Sequence, residues 1–222
     1  MKIYSHLLGD QICDLPIGKV VCVGRNYAEH ACELNNPIPS SPVLFIKPNT
    51  SLVPLHEPFT IPSEHGDCHF EAEMSLLIGK KLTSCDVEQA ASSIRGVGLS
   101  LDLTLRDLQG ELKACGLPWE KAKAFDGSCP TSTFVEVKKC TNLQNQQILM
   151  YQNGTLRQCG KTSDMLMTAV DLLVFISGFF TLLPGDIVLT GTPAGVGPLS
   201  SGDRLRLELS HLISCNTEVA SG

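Results

Sequence analysis

This sequence lacks the basic clusters and the cysteine spacings on which several classes of function depend. Its 17 lysines and arginines are outnumbered by 23 acidic residues, which gives a net charge of −6, and they form no extended cluster. Because phosphate binding needs clustered positive charge, we expect no nucleic-acid partner. The 10 cysteines include no C-x-x-C pair, and no Cys/His group has the spacing of zinc ligands. A zinc site is therefore not expected.

We expect neither an export signal nor a membrane span in this sequence. Its first residues, MKIYSHLLGDQICDLP, contain no apolar core of the kind found in signal peptides. A long apolar stretch at 165–183 carries Asp171 near its centre, and a charge at that depth in a bilayer is costly. We therefore expect this stretch to form a buried helix. We also expect a cytoplasmic protein with reduced thiols and no membrane partner.

The residues that are present are typical of one globular domain dominated by strands. Hydrophobic residues make up 43% of the 222 positions and charged residues 18%, which is enough apolar sequence to bury a full core. Alternation of apolar and polar residues is clearest at 71–78 and 97–103. Since no regular βαβ alternation occurs, we predict a single α+β domain over 1–222 with a few peripheral helices. Further strands are predicted at 20–23, 42–47, 134–137, 149–152, 186–190 and 205–209.

Helix caps and one turn signal lie between these strands. Asn26 is predicted to cap a helix that the Asn-Asn-Pro sequence at 35–37 ends. Thr104 and Ser163 are the expected caps of two later helices. The Asn-Gly pair at 153–154 predicts a hairpin with a type I′ turn.

Three carboxylates form a candidate cation site. Glu71 and Glu73 are two apart on a predicted strand, so both side chains project from the same face. Asp102 lies on the polar face of a second predicted strand and is a candidate third ligand. Three carboxylates without a thiol suit a hard cation such as Mg²⁺, Mn²⁺ or Ca²⁺. The alternative is an ordinary solvated strand face, which the spacing alone favours.

Five segments resemble one known family when they are taken together. They occur in the same order and spacing as in the fumarylacetoacetate hydrolase family, and the likeness covers roughly residues 18 to 209. It is nearest to the short members of the acylpyruvate hydrolase and oxaloacetate decarboxylase type. The segments are GRNYAEH at 24–30, HFEAEMSLLIG at 69–79, SLDLTLRDLQ at 100–109, PWEKAKAFD at 118–126 and LTGTPAGVG at 189–197.

The resemblance changes the interpretation of the carboxylates. It implies that Glu71, Glu73 and Asp102 hold Mg²⁺, with Mn²⁺ or Ca²⁺ as alternatives. It also implies a mixed β-sandwich or β-roll fold, a homodimer, and a small 2-oxo or 1,3-dicarbonyl acid as substrate. These expectations come from the family and not from spacing.

A histidine, a glutamate and a lysine are the candidate catalytic groups. His30 and Glu33 are three apart and share a helix face, and a carboxylate beside an imidazole fixes its tautomer, which suits a general base. The alternative is a surface pair of little consequence. The resemblance favours catalysis, because family members use a His/Glu dyad here. Lys123 lies in the resembling AKAF stretch, where a lysine could stabilise an enolate or a carboxylate.

Four further residues are candidates for substrate binding. Arg106 and Gln109 are three apart, directly after Asp102, and an arginine can hold a carboxylate through two parallel hydrogen bonds. The Thr192 hydroxyl lies in a glycine-rich turn and could bind a substrate oxygen. Arg25 is a weaker candidate that could serve structure alone. For Arg106 and Gln109 the competing interpretation is an ordinary helix surface, and for Thr192 it is a plain glycine-rich turn.

These groups together predict a metal-dependent enzyme. The preferred hypothesis is hydrolysis of the C–C bond of acylpyruvates such as acetylpyruvate or fumarylpyruvate, which yields pyruvate and a carboxylic acid. The alternative is an oxaloacetate decarboxylase or an oxaloacetate keto–enol tautomerase, because the same site could perform either reaction. A metal-binding protein without catalysis is a third hypothesis.

Overall fold

Short strands dominate the computed structural model, which describes residues 4–33, 37 and 39–221. Short 3₁₀ turns lie at Asn49–Ser51, Val137–Lys139 and Thr162–Asp164. The helices are α1 (Ala28–Glu33), α2 (Val87–Ser93), α3 (Arg106–Ala114), α4 (Glu120–Lys123) and α5 (Ala169–Ser177). The strands are β1 (Leu7–Leu8), β2 (Gln11–Ile12), β3 (Val20–Gly24), β4 (Val43–Lys47), β5 (Leu52–Pro54), β6 (Phe59–Thr60), β7 (Cys68–Phe70), β8 (Ala72–Ile78), β9 (Ile94–Leu101), β10 (Thr104–Leu105), β11 (Cys129–Thr131), β12 (Val135–Glu136), β13 (Gln147–Gln152), β14 (Thr155–Lys161), β15 (Ile187–Leu189), β16 (Gly197–Pro198), β17 (Arg204–Leu209) and β18 (Ile213–Ala220).

Two larger sheets carry the architecture. The first has the order β4-β3-β15-β8-β9-β11-β5, with β12 also paired to β9. The second has the order β14-β13-β17-β18-β6. A smaller sheet, β10-β7-β16, lies next to the start of β8, and β1 pairs with β2. This is the strand-dominated α+β fold with few helices that was predicted.

One continuous apolar core joins the two larger sheets. Met74 and Leu99, from the first sheet, belong to the same buried cluster as Met150 and Leu207 from the second. Every residue of β8 is buried, including Glu73, because both faces of this strand are covered. The core therefore surrounds the strand that carries Glu73 and limits the movement of this side chain.

The predicted strands are found with small changes in their ends, and several strands were not predicted. The hairpin is confirmed, since Asn153 and Gly154 have φ of 53° and 80° between β13 and β14. The missed strands include β14 and β18, which continue the second sheet. The first three residues of edge strand β14 are exposed and the fourth is buried, so this strand lacks the alternation on which the sequence prediction relied.

The predicted caps were wrong because their side chains bind elsewhere. Asn26 binds Met167 and Thr190 through its side chain instead of closing a capping box. Thr104 lies in β10, and Leu105 precedes α3 without a side-chain cap. Ser163 lies in a 3₁₀ turn, whereas Thr168 caps α5. The predicted helix stop at 35–37 includes residues 35 and 36, which lie outside the described residues.

The long apolar stretch forms a buried helix, as expected. It contains α5, and the buried side chains of this helix include Leu172, Leu173 and Ile176. Asp171 lies in the first turn of α5, where Thr168 Oγ1 donates to its carboxylate at 2.6 Å. Within the described residues, no helix combines the length and the apolarity needed to cross a membrane.

Candidate active site

Three buried carboxylates meet where the central strands of the first sheet pair. Glu73 lies on β8, Glu71 lies between β7 and β8, and Asp102 follows β9. The antiparallel register places Ala72 opposite Leu101, and Asp102 N donates to Glu71 O at 2.8 Å. All three side chains are buried, and one carboxylate oxygen from each lies within 4.8 Å of the others. The structure thus brings the predicted metal ligands together as one carboxylate cluster.

Three cationic side chains contact the carboxylate cluster. Lys123 Nζ donates to Glu71 Oε2 at 2.9 Å and to Asp102 Oδ2 at 2.7 Å. Arg106 Nη2 donates to Glu71 Oε1 at 2.5 Å. Lys47 is fully buried, and its Nζ lies 2.9 Å from Asp102 Oδ1. Within the part of the chain that the structure describes, no ion pair involves Glu73. The positive charge is therefore unevenly distributed over the cluster.

This uneven distribution separates the pKa values of the two glutamates. Burial alone would raise the pKa of Glu71, but Lys123 and Arg106 outweigh burial and hold that pKa below its ordinary value. Burial, together with the charges of Asp102 and Glu71, raises the pKa of Glu73 well above its ordinary value. Burial would lower the pKa of Lys123, yet Asp102 and Glu71 raise it, so this lysine stays charged.

The donor set fits a hard divalent cation. Asp102 Oδ1 is buried and makes no hydrogen bond, although Lys47 Nζ lies close enough for an ion pair. Glu73 Oε2 accepts from Gly191 N at 2.6 Å, which fixes the carboxylate without neutralising it. Carboxylate oxygens are the ligands that Mg²⁺, Mn²⁺ and Ca²⁺ prefer. A divalent ion would supply the positive charge that Glu73 lacks.

A small cavity of about 170 Å³ opens beside the carboxylate cluster. Of the ten predicted site residues, Glu33 and Asp102 are not in its wall, but they contact residues that are. The other eight line it directly: Arg25, His30, Glu71, Glu73, Arg106, Gln109, Lys123 and Thr192. The structure therefore brings all of the predicted residues to one place, while their individual roles stay predictions.

Arg106 and Gln109 form one polar unit at the start of α3. Arg106 Nη1 donates to Gln109 Oε1 at 2.9 Å, so the Gln109 amide nitrogen remains a donor. Arg106 Nε is buried and has no hydrogen-bond partner among the described residues. An unpaired buried donor is costly, and a carboxylate is the acceptor that best matches a guanidinium. This unit is suited to bind the carboxylate of a small acid.

His30 and Glu33 form the predicted pair on α1. His30 is buried, and its Nδ1 lies 3.1 Å from Glu33 Oε2. With the Nδ1 proton donated to this carboxylate, the lone pair on Nε2 is available to accept a proton. Glu33 Oε1 accepts from Gly195 N at 2.9 Å, which ties the dyad to the loop after β15. The arrangement is suited to general-base chemistry.

Thr192 lines the cavity from the loop that follows β15. Its hydroxyl donates to Ala72 O at 2.9 Å, and Gln158 Nε2 donates to the hydroxyl at 2.8 Å. Gln158 lies on β14 and is fully buried, and the sequence analysis missed it. No spacing or motif signals this residue, because its contacts depend on how the second sheet packs against the first.

The backbone of Arg25 and two aromatic rings complete the cavity wall. Arg25 has φ of 61°, a left-handed conformation that costs about 1–3 kcal/mol in a non-glycine residue and is concentrated at functional sites. The rings of Phe45 and Trp119 lie 6.4 Å apart, and Lys123 Nζ lies 5.1 Å from the Phe45 ring centre. The sequence analysis missed both rings and Lys113, although Trp119 lies within one of the resembling segments.

Comparison with curated proteins finds enzymes of small organic acids. Oxaloacetate tautomerase YcgM from Escherichia coli is 51% identical to this chain over 195 residues, which is 87% of this chain and 89% of the relative. An oxaloacetate decarboxylase from Dictyostelium discoideum, named as mitochondrial, is 42% identical over 195 residues, with the same two shares of 87% and 89%.

Solved structures show the same fold. A Yersinia pestis protein matches with a TM-score of 0.95 and 46% identity, covering 97% of this chain and 100% of that one. A fumarylpyruvate hydrolase from Pseudomonas aeruginosa, in complex with Mn²⁺ and pyruvate, matches with a TM-score of 0.92 and 33% identity, covering 99% of this chain and 96% of that one. The family profile described as Fumarylacetoacetate (FAA) hydrolase C-terminal matches residues 19–220, which extends the resemblance through β18. The chain therefore belongs to the fumarylacetoacetate hydrolase family.

Proposed function

We propose that this chain catalyses the keto–enol tautomerisation of oxaloacetate. The observation that carries the proposal is the small cavity, which combines a carboxylate cluster with the cationic side chains of Arg25, Arg106, Lys113 and Lys123. Its volume of about 170 Å³ is below the roughly 300–1,000 Å³ of pockets that enclose drug-sized ligands. A four-carbon dianion suits this size and charge better than a long acylpyruvate does.

The comparisons support the same choice and change the order of the hypotheses. The relative at 51% identity is named an oxaloacetate tautomerase, whereas the fumarylpyruvate hydrolase is 33% identical. Acylpyruvate hydrolysis, the preferred hypothesis from the sequence, is therefore less well supported than its alternative. One catalytic domain over 1–222, a homodimer and a cytoplasmic location stay predictions.

Glu71, Glu73 and Asp102 would hold a divalent cation, for which we propose Mg²⁺. When bound, such an ion acts as a Lewis acid that polarises the 2-oxo group of the substrate. The Arg106 and Gln109 donors bind the adjacent carboxylate, and Lys123 opposes negative charge that develops on the C2 oxygen. The side chain of Lys123 is held for this task by its two hydrogen bonds to the cluster.

His30 moves the proton in this proposal. Its Nε2 accepts a proton from C3 of oxaloacetate, the C–H electron pair forms the C2–C3 double bond, and the C2 oxygen takes the charge. The imidazolium then returns the proton to the C2 oxygen, so that no other reactant is needed. Glu33 keeps the imidazole ring and its tautomer in place through its contact with Nδ1. The reverse sequence converts the enol to the ketone.

Decarboxylation of oxaloacetate is the second candidate. It also develops negative charge on the C2 oxygen, because CO₂ leaves from C3 in place of a proton and the enolate of pyruvate remains, which takes a proton from water at C3. The groups that oppose charge on the C2 oxygen therefore serve both reactions. The observation that favours it is the 42% identity to a relative named oxaloacetate decarboxylase. Because loss of CO₂ needs no base at C3, removal of His30 separates the two activities.

The test follows enol absorbance and pyruvate release from oxaloacetate, with Mg²⁺ or with a chelator. We expect metal-dependent acceleration of enol decay that exceeds pyruvate release, and a loss of about 10²-fold or more in His30→Ala. His56→Ala, at an exposed histidine, is the matched control and should be unchanged. Pyruvate release from oxaloacetate that survives in His30→Ala would favour the decarboxylase.

Parallel assays with acetylpyruvate and fumarylpyruvate test the hydrolase hypothesis. Release of pyruvate from these acids, without any effect on the oxaloacetate enol, would overturn the proposal. Thermal stabilisation by Mg²⁺ with no acid consumed would indicate a metal-binding protein without catalysis.

A further inference from the structure

Gln158 joins the second sheet to the candidate active site through three hydrogen bonds. Ala72 N donates to its Oε1 at 3.0 Å, and its Nε2 donates to Thr192 Oγ1 at 2.8 Å and to Pro193 O at 2.7 Å. Gln158 is fully buried on β14. It therefore contacts the residue between two carboxylates of the cluster and the loop that lines the cavity.

These contacts fix the orientation of the Gln158 amide. A backbone N–H can only donate and a backbone carbonyl can only accept, so Ala72 N must face the amide oxygen and Pro193 O must face the amide nitrogen. The N–H that points at Thr192 is thus a donor. The flipped amide would place its nitrogen against Ala72 N and its oxygen against Pro193 O, so the hydrogen-bond network excludes that orientation.

The same network fixes the Thr192 hydroxyl. One of its lone pairs accepts from Gln158, and its single proton is donated to Ala72 O at 2.9 Å. A hydroxyl has one proton and two lone pairs, so only one lone pair remains for a ligand. As held by Gln158, Thr192 accepts hydrogen bonds from a ligand and cannot donate to one. The expectation that Thr192 binds a substrate oxygen is thereby narrowed to an oxygen that carries a proton.

Close backbone packing also holds the Thr192 loop against β14. A β-carbon added at Gly160 would overlap the ring of Pro193, and one added at Gly195 would overlap the carbonyl of Arg157. The loop therefore rests directly on β14 at two further points besides Gln158. The hydroxyl itself cannot turn away without breaking its hydrogen bonds to Gln158 and Ala72.

We propose that Gln158 is a positioning residue which makes the Thr192 hydroxyl a fixed hydrogen-bond acceptor, and that this acceptor selects the enol form of a 2-oxo acid. The enol carries a hydroxyl on C2 that can donate, whereas the ketone oxygen can only accept. The inference rests on the proposed function for the identity of the ligand. The same acceptor would select any 2-hydroxy acid, because its hydroxyl is the same kind of donor.

The test measures binding without turnover. The probes are oxalate, whose oxygens only accept, and each enantiomer of malate, whose 2-hydroxyl donates, titrated by calorimetry in the presence of Mg²⁺. Three variants are compared with the wild type. Thr192→Val removes the acceptor at nearly constant shape, Thr192→Ser retains it, and Gln158→Met removes the group that orients it.

We expect Thr192→Val to weaken malate binding about three- to tenfold, the value of one neutral hydrogen bond, and to leave oxalate binding within about twofold. Thr192→Ser should restore malate binding, and Gln158→Met should lower the malate-to-oxalate affinity ratio in the same direction as Thr192→Val. A general structural defect would weaken both ligands equally and would leave this ratio unchanged.

Three results would overturn the inference. Oxalate binding that is weakened more than malate binding in Thr192→Val would show that the hydroxyl donates to the ligand, and an unchanged ratio would show that the hydroxyl does not distinguish the two ligands. Binding of neither probe to the wild type would remove the ligand site altogether. The ratio does not depend on catalysis, so an absence of tautomerase activity with the expected ratio would refute the proposed function alone.

Discussion

Replacing Glu73 by glutamine separates the electrostatic cost of the carboxylate cluster from its use in metal binding. Glu73 is 1% exposed, and burial together with Asp102 and Glu71 raises its pKa well above the ordinary value. Glutamine keeps the size of the side chain and an oxygen that can accept from Gly191 N. It removes a buried charge that lacks a cationic partner within the described residues.

The expected effects have opposite signs with and without metal. In metal-free protein, Glu73→Gln should be at least as stable as the wild type, because like-charge repulsion is relieved. At a free Mg²⁺ concentration about 100 times the Kd, binding stabilises the wild type by about 2.7 kcal/mol. At about 2–4 °C per kcal/mol for a chain of this length, Tm should rise by about 5–11 °C. The variant lacks one of three carboxylate ligands, so most of this rise should disappear.

The assay is thermal unfolding in a chelator and in a titration of Mg²⁺, repeated with Mn²⁺ and Ca²⁺ to rank the ions. Glu88→Gln is the matched control, since Glu88 is an exposed glutamate in the first turn of α2. Glu88→Gln should show the same Mg²⁺-dependent rise in Tm as the wild type. An equal Mg²⁺ response in Glu73→Gln would refute the ligand assignment. A marked loss of metal-free stability would refute the electrostatic argument.

Three further predictions concern catalysis and stability. His30→Ala should retain the Mg²⁺-dependent rise in Tm while kcat for the oxaloacetate enol falls about 10²-fold or more; loss of both would make His30 a structural residue. Lys47→Met should lower the free energy of unfolding in urea by about 3 kcal/mol, because it leaves Asp102 and several carbonyls without their buried cation. Lys138→Met, at an exposed lysine, should change the free energy of unfolding by less than about 0.5 kcal/mol. Burial alone would raise the pKa of Asp203, but hydrogen-bond donors outweigh burial and lower it. The contribution of Asp203 to stability is therefore complete above the ordinary aspartate pKa of about 3.9 and is lost as the pH falls below it. Asp203→Asn should flatten that part of the pH–stability curve, and an unchanged slope would contradict the assignment.

The placement of the three carboxylates on neighbouring strands could be predicted from sequence because its signal is local, whereas their role as metal ligands was inferred from the family resemblance and stays a prediction. Two glutamates two residues apart on an alternating strand must share a face, and the partner strand that carries Asp102 shows the same alternation. The hairpin at 153–154 was predictable for the same reason, since both residues favour positive φ. Such signals need no knowledge of how distant segments pack.

The failed predictions share a different cause. Asn26 and Thr104 have the residue types that cap helices, but their side chains bind segments that are remote in sequence. Thr104 Oγ1 donates to Glu71 Oε1 at 3.2 Å, which places it in the candidate active site instead of at a helix end. A polar side chain accepts whichever partner the fold brings to it, and propensity gives only a weak preference.

The sequence by itself determined which groups are available to the site: the carboxylates, the cations, the histidine dyad and the strands that carry them. The tertiary structure alone decided the direction in which those groups can act. Gln158 is 86 residues from Ala72 and 34 residues from Thr192, yet its contacts with both leave the Thr192 hydroxyl only a lone pair for a ligand. The direction of a hydrogen bond depends on every neighbour of its two atoms, and those neighbours are assembled only when the two sheets pack together.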